Sequence, residues 1–295
     1  MREKIFSAIG NKILYEGIET CDYTLNGKSP RIAEFKKIPS EIIENEEVDF
    51  SIFAIILDAR HEKNDFFNCI ILIQDKKPQY IIYCNQEVPK SHECNLKIKY
   101  MIVGNYTDFN SIDYDTNIRL EVIKKNYNSN QPKLNKSLLG FKANPSDHFI
   151  GIPVLNDLWD LNHLKQENSI IGHHFYTDQD DNVGIFTFPY SLNNNKYISL
   201  SNFSFHILKI SNVPIKTFDK KTSYGEICHP KYFSLYSKDS NNFCPIFFKY
   251  TIKEIKLKLV ISKCKCQSCI LYKNSSKFKD KLNLLYFDLP KNDFT

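Results

Sequence analysis

The segment VDFSIFAIILDAR, residues 48–60, decides the fold of this chain. Residues 48–57 form a nearly continuous apolar run, which ends at Asp58. A run of this length and composition is typical of a buried central strand. It is far shorter than the roughly 18 to 20 apolar residues that a membrane-spanning helix requires. The segment therefore predicts a central β-strand that closes on a carboxylate.

Further strand-length segments lie on both sides of this run. Residues 67–74 and 80–85 flank the turn sequence Lys76-Lys77-Pro78, which together predict a hairpin. Residues 96–103 alternate between apolar and mostly charged positions, the period of a half-buried strand. Other strands are predicted at 118–123, 183–188, 197–200, 203–210 and 252–261. Many short strands favour an all-β fold, a jelly-roll-like antiparallel β-sandwich with a few short helices.

Helical signals are few. Residues 40–44 predict a short helix with Ser40 as its cap, and residues 156–166 carry apolar side chains near helical spacing. Residues 126–136 are polar and predict a long loop or hinge. The predicted parts of the chain are an N-terminal extension over 1–44, a β-sandwich core over 45–215 and a basic, cysteine-containing C-terminal region over 216–295.

The composition excludes several classes of protein. The 295 residues are 42% hydrophobic and 25% charged, which excludes wholesale disorder. The first six residues lack the pattern of a signal peptide, so nine cysteines indicate thiols in a reducing compartment or a metal site rather than a disulfide framework. Only nine glycines occur, and no glycine-rich phosphate loop is present.

Positive charge and aromatic rings concentrate near the C-terminus. The net charge is +5, yet residues 249–281 hold ten lysines against Glu254 and Asp280, a local balance of +8 that leaves −3 elsewhere. Lysines neutralise phosphates, and rings stack on unpaired bases. The predicted nucleic-acid-binding residues are Lys249, Lys253, Lys256, Lys258, Lys263, Lys265, Tyr250 and Tyr272. The alternative interpretation is a solvated strand face followed by a polar tail.

A zinc site is the second interpretation of the C-terminal region. Four of its five thiols, Cys244, Cys264, Cys266 and Cys269, are enough for a tetrahedral site. Their C-x-C-x-x-C core differs, however, from the paired C-x-x-C pattern that marks such sites strongly.

Two patterns resemble catalytic sites. His173 and His174 stand near three carboxylates, but adjacent strand residues face opposite ways, so Asp180-Asp181-Asn182 is interpreted as a hairpin turn rather than part of a metal hydrolase. His61 follows a strand as a protease histidine would, with Asp113 or Asp115 as its acid, but no serine-nucleophile motif is present. We therefore expect no enzymatic activity and no cofactor.

The end of the apolar run also carries a resemblance to a known family. Ile56-Leu57-Asp58-Ala59-Arg60 resembles the L-x-D-x-R-type signature of plant virus cell-to-cell movement proteins of the thirty-kilodalton superfamily. That pattern continues with a glycine after further strands, and here Gly104 follows Asp58 by 46 residues. The resemblance covers about residues 45–215 and is strongest to plant rhabdovirus movement proteins. Its motif residues are Leu57, Asp58, Arg60 and Gly104.

This resemblance implies a function. Such proteins have a jelly-roll-like core and bind viral single-stranded RNA or nucleocapsids without sequence preference. They carry this cargo through plasmodesmata, with plasmodesmal and membrane-associated host proteins as partners, and self-association into a homo-oligomer is one assembly that the resemblance implies. The implied location is the plasmodesmata and cell periphery of a host cell, with a cytoplasmic pool. Loss of Asp58 would abolish transport by disturbing the fold. The alternative is a zinc-stabilised β-rich adaptor or nucleic-acid-binding accessory protein.

Overall fold

The structure is a computed structural model, and its described residues form eighteen strands and one short helix. It describes residues 10–24, 31–58, 65–74, 77–86, 93–105, 118–128, 135–156, 162, 169–191, 194, 196–200, 202–212, 216–217, 232–237, 246–250, 255–259 and 282–287. In chain order the elements are β1 Lys12–Thr24, β2 Arg31–Glu34, α1 Ser40–Ile43, β3 Asp49–Asp58, β4 Asp65–Gln74, β5 Lys77–Gln86, β6 Glu93–Asn105, β7 Arg119–Asn128, β8 Asn135–Lys142, β9 His148–Leu155, β10 Ser169–Thr177, β11 Asn182–Ser191, β12 Lys196–Tyr197, β13 Asn202–Ser211, β14 Lys216–Thr217, β15 Tyr232–Ser237, β16 Ile246–Tyr250, β17 Ile255–Leu259 and β18 Leu282–Phe287.

The described strands form three sheets and a separate two-stranded ribbon. The first sheet has the order β1-β6-β3, and the second has the order β2-β5-β4-β9-β13-β7. The third runs β12-β11-β10-β15-β18-β14, with β8 also paired to β11. Pairing is antiparallel except between β4 and β9 and between β10 and β15. Strands β16 and β17 pair only with each other among the described residues.

The six-stranded sheet is the middle layer, because both of its faces are covered. Along β4, Ile71 belongs to the core shared with the three-stranded sheet, whereas Ile70 and Leu72 belong to the core shared with the third sheet. Neighbouring β5 alternates in the same way, with Ile82 in the first core and Ile81 in the second. Strands buried on both faces give continuous apolar sequences, which explains the run in residues 67–74.

The all-β prediction is confirmed. The run at 48–57 forms β3 and ends at Asp58, and residues 67–85 form the predicted hairpin of β4 and β5. The predicted sandwich of two sheets gains a third layer. An apolar run indicates that a strand is buried, but it does not say how many sheets cover it. The jelly-roll connectivity stays a prediction.

Two local predictions need correction. Ser40 is the first residue of α1 and not its cap: Pro39 holds the cap position, and no side chain caps the helix. Within the predicted loop at 126–136, β7 extends to Asn128 and β8 begins at Asn135. Ser204 Oγ of β13 donates a hydrogen bond to Asn126 Oδ1 of β7 at 2.8 Å. This polar contact between the two strands takes the place of apolar packing.

The predicted domain boundaries do not coincide with breaks between sheets. Strand β1, inside the predicted extension 1–44, pairs with β6 along its whole length. The buried Glu19 carboxylate of β1 also accepts hydrogen bonds from the backbone N–H groups of Lys36 and Lys37, at 3.1 and 3.2 Å. At the other end, β14, β15 and β18 belong to the third sheet. Strands β1 and β2 of the predicted extension and β14, β15 and β18 of the predicted C-terminal region are therefore built into the three sheets.

Candidate nucleic-acid interface

The ribbon formed by β16 and β17 has two chemically different faces. Its register places Lys249 directly opposite Lys256 and Phe247 directly opposite Lys258. Residues directly opposite each other, and alternate residues along a strand, lie on the same face. These four residues therefore share what we call the cationic face. The other face carries Ile246, Phe248, Tyr250, Ile255, Leu257 and Leu259.

The cross-strand lysine pair is unfavourable for the isolated ribbon. Side chains directly opposite each other in an antiparallel pair start from Cβ atoms about 4.5–5.5 Å apart, and like charges at this position are destabilising. A bound anion between Lys249 and Lys256 would remove this repulsion. The ribbon is also held against the layered body, since the backbone of β16 approaches β3, β4 and β10.

The structure divides the predicted nucleic-acid-binding residues into three groups. Lys249, Lys256 and Lys258 are brought together on the cationic face. Tyr250 is placed on the opposite face of the ribbon. Lys253, Lys263, Lys265 and Tyr272 lie outside the described residues. Sequence reasoning missed Phe247 as a member of the cationic face, because no strand was predicted at 246–250; alternation along β16 places Phe247 with Lys249, and the register adds Lys256 and Lys258.

Three of the four motif residues of the resemblance, Leu57, Asp58 and Gly104, lie in the three-stranded sheet. Leu57 and Asp58 are buried at the end of β3, and Asp58, only 1% exposed, is opposite Leu96 of β6. Arg60 lies outside the described residues. Asp58 therefore occupies a buried position in the fold.

Gly104 marks a close approach of backbone in the same sheet. It pairs with Phe50 of β3 and with Lys12 of β1. A Cβ atom on Gly104 would stand 2.7 Å from the carbonyl oxygen of Asp49 and 3.0 Å from Leu14 Cδ1. Only glycine fits here without moving a neighbouring strand.

The two adjacent histidines of β10 lie on opposite faces of their sheet. The His173 ring contacts Phe205 of the middle sheet, with ring centroids 4.7 Å apart, while His174 contacts Phe186 at 4.9 Å. Burial and the neighbouring His174 lower the pKa of His173 to about 3, and burial lowers that of His174 to about 4. Both rings are therefore neutral members of an aromatic core at neutral pH.

The nearby carboxylates build the predicted hairpin turn. Asp178 Oδ1 accepts hydrogen bonds from the N–H groups of Asp180 and Asn182, at 3.0 and 2.8 Å. The side-chain amide of Asn182 donates to Asp178 Oδ2, and these contacts hold the pKa of Asp178 below its ordinary value. Asp181 has a φ of 61°, in the left-handed region that Asp tolerates in turns. The turn between β10 and β11 is confirmed.

The described cysteines are buried or partly buried thiols. They are Cys21, Cys69, Cys84 and Cys94, and burial raises the pKa of Cys69 to about 12. A protonated thiol is a poor metal ligand, because the thiolate is the form that coordinates. Among the described residues no group of three or more His, Cys, Asp or Glu side chains is arranged to hold a metal. The predicted ligands Cys244, Cys264, Cys266 and Cys269 lie outside that part of the chain.

The fold and this ribbon define a layered all-β protein with a cationic two-stranded appendage. Residues 13–269 match the family described as Domain of unknown function (DUF7431), and the chain belongs to this family. No curated protein and no solved structure matches the chain. In the described part of the chain, no helix combines the length and the hydrophobicity needed to cross a membrane.

Proposed function

We propose that this protein is a non-enzymatic nucleic-acid carrier, which binds its cargo without sequence preference through the cationic face of the ribbon. The single observation that carries the proposal is the register that gathers Lys249, Lys256 and Lys258 on one face. Three phosphate contacts correspond to a slope of about −2 in log affinity against log salt for a single strand. Between 50 and 200 mM salt this alone weakens binding about 15- to 20-fold.

Reversing the charge of Lys249 is expected to change the RNA affinity and the stability of the protein in opposite directions. We expect Lys249→Glu to weaken binding of a mixed-sequence single-stranded RNA about tenfold and to make the salt slope shallower by about 1 to 2. The same change should raise the free energy of unfolding by about 0.2–1 kcal/mol, because an opposite-charge pair with Lys256 replaces a repulsive one. Fluorescence anisotropy at several salt concentrations and urea unfolding measure the two effects.

Lys142→Glu is the matched control, because Lys142 is exposed on β8 and changes the net charge equally. Equal weakening by both substitutions would show that only the overall charge matters. Unchanged RNA affinity for Lys249→Glu would contradict the proposed site directly.

From the resemblance in β3 we further propose that the cargo is viral RNA or nucleocapsids, carried between plant cells through plasmodesmata. The support is the match at Leu57, Asp58 and Gly104 in a strand context that the fold provides. Asp58 is given a structural part in this proposal, since its carboxyl group is buried at the strand end. Host plasmodesmal proteins are the proposed partners.

Transport is tested with a fluorescent fusion expressed in leaf epidermis. We expect puncta at the cell walls and spread into neighbouring cells, and loss of both for Asp58→Ala. The triple variant Lys249→Gln, Lys256→Gln, Lys258→Gln should be at least as stable as the wild type, because the repulsive pair is removed, and should keep the puncta but lose transport of co-expressed RNA. A diffuse signal without spread for the wild-type fusion would refute the transport proposal while leaving RNA binding to be judged by anisotropy.

A further inference from the structure

The cationic face contains one residue that charge neutralisation does not explain. Six of the seven apolar or aromatic residues of the ribbon strands share the other face, as an amphipathic ribbon requires. Phe247 is the exception: it is opposite Lys258 and two positions from Lys249 on its own strand. A phenylalanine among three lysines has the chemistry of a surface that takes both a phosphate backbone and a base.

We infer that Phe247 is a stacking platform for an unpaired base, so that the cationic face selects single-stranded over double-stranded nucleic acid. The inference rests on the proposed function and adds the specificity-determining residue to it. Stacking needs a free face of the base, which a duplex does not offer, whereas lysines accept the backbone of either form. The ring also tolerates any base, because every base has a π-face.

The pairing register makes this inference specific. Tyr250 is the ring that the sequence places next to Lys249, yet the register puts it on the other face together with Phe248. A shift of one residue in this register would exchange the two faces of one strand. We therefore expect the Phe247 ring, and not the Tyr250 ring, to stack on a base of the bound nucleic acid.

The experiment compares three variants and the wild type on three probes. Phe247→Leu keeps the apolar volume without the ring, and Phe247→Trp keeps a ring. Tyr250→Leu changes the other face of the ribbon. The probes are a labelled mixed-sequence 12-nucleotide RNA, its duplex with the complementary strand, and heparin, a polyanion without bases. Thermal unfolding of each variant confirms that it is folded.

We expect the wild type to bind the single strand at least tenfold more tightly than the duplex. Phe247→Leu should lower the affinity for the single strand about tenfold, within the range measured for loss of one stacked base, and leave heparin binding within about twofold. Phe247→Trp should retain the affinity and show tryptophan quenching by RNA beyond that of the wild type. Tyr250→Leu should bind like the wild type.

Other results would overturn the inference in distinguishable ways. If Phe247→Leu binds RNA as tightly as the wild type, or loses RNA and heparin equally, the ring does not stack and only charge neutralisation remains. If Tyr250→Leu alone loses RNA affinity, the stacking ring is on the other face. If the wild type binds neither RNA nor heparin, the proposed function fails and this inference fails with it.

Discussion

Lowering the pH from 7 to about 4.5 is expected to unfold the protein, through the four histidines whose pKa burial lowers, His148, His173, His174 and His206. His148, His174 and His206 are each less than 7% exposed, and burial lowers the pKa of each to about 4. At His206 the neighbouring Lys124 lowers the pKa further, while Asp49 opposes this effect. The Nδ1 atoms of His174 and His206 have no hydrogen-bond partner among the described residues, which fits neutral rings.

The sign of the effect follows from linkage. The unfolded chain takes up these protons near pH 6.5, whereas the folded protein takes them up only near pH 3 to 4. Stability is therefore fully present above pH 6.5 and is lost as the pH falls towards the folded pKa values. A shift of this size is worth up to about 3 kcal/mol per histidine, so the four together approach the whole stability of a typical domain.

Urea unfolding followed by circular dichroism between pH 7 and 4.5 measures this loss. The variant His206→Gln, which cannot take up the proton, should flatten the pH dependence by about one quarter, because His206 is one of four such histidines. A free energy of unfolding that stays constant over this range would show that the rings are not buried as neutral groups.

Replacing Gly104 by alanine is expected to cost about 3 kcal/mol of stability. The new Cβ atom would lie 2.7 Å from the Asp49 carbonyl oxygen and 3.1 Å from Phe50 Cβ, so β3 would have to move away from β6. Because β6 is the central strand of its sheet, this movement would weaken the ladder that also orders Asp58.

Gly10→Ala is the matched control for this substitution. The nearest atom to a Cβ at Gly10 is the Leu120 carbonyl oxygen, 4.0 Å away, so that variant should be close to neutral. Urea denaturation of both variants gives the comparison. Equal stability of the two would mean that the sheet adapts to the methyl group and that the motif glycine has another role.

The strands were largely predictable from sequence, because periodicity and apolar run length record burial directly. The run at 48–57, the hairpin at 67–85 and the turn at Asp180-Asp181-Asn182 all form as predicted. A strand was also predicted at 252–261, and β17 covers Ile255–Leu259 within it.

The structural features that the sequence analysis did not predict depend on pairing between distant segments. The sequence of β16 alone cannot decide whether Phe247 or Tyr250 accompanies the lysines of β17, because both choices differ only by register. The number of layers is equally unpredictable from the sequence. Ile70 and Ile71 indicate a strand that is buried on both faces, but they do not identify the sheets that cover it. The N-terminal strand was missed as part of the body, because its partner β6 lies some eighty residues away in sequence.

The middle sheet faces a problem of registry, because an apolar core covers each of its faces. Side-chain size helps to distinguish the two faces. Strand β13 sends Phe203 and Phe205 to one side but Leu208 and Ile210 to the other, and β9 divides Phe149 from Ile150 likewise. A one-residue slip would force bulky rings into the space that branched aliphatic groups fill. The different sizes of the side chains on the two faces thus help to keep the strands of the middle sheet in register.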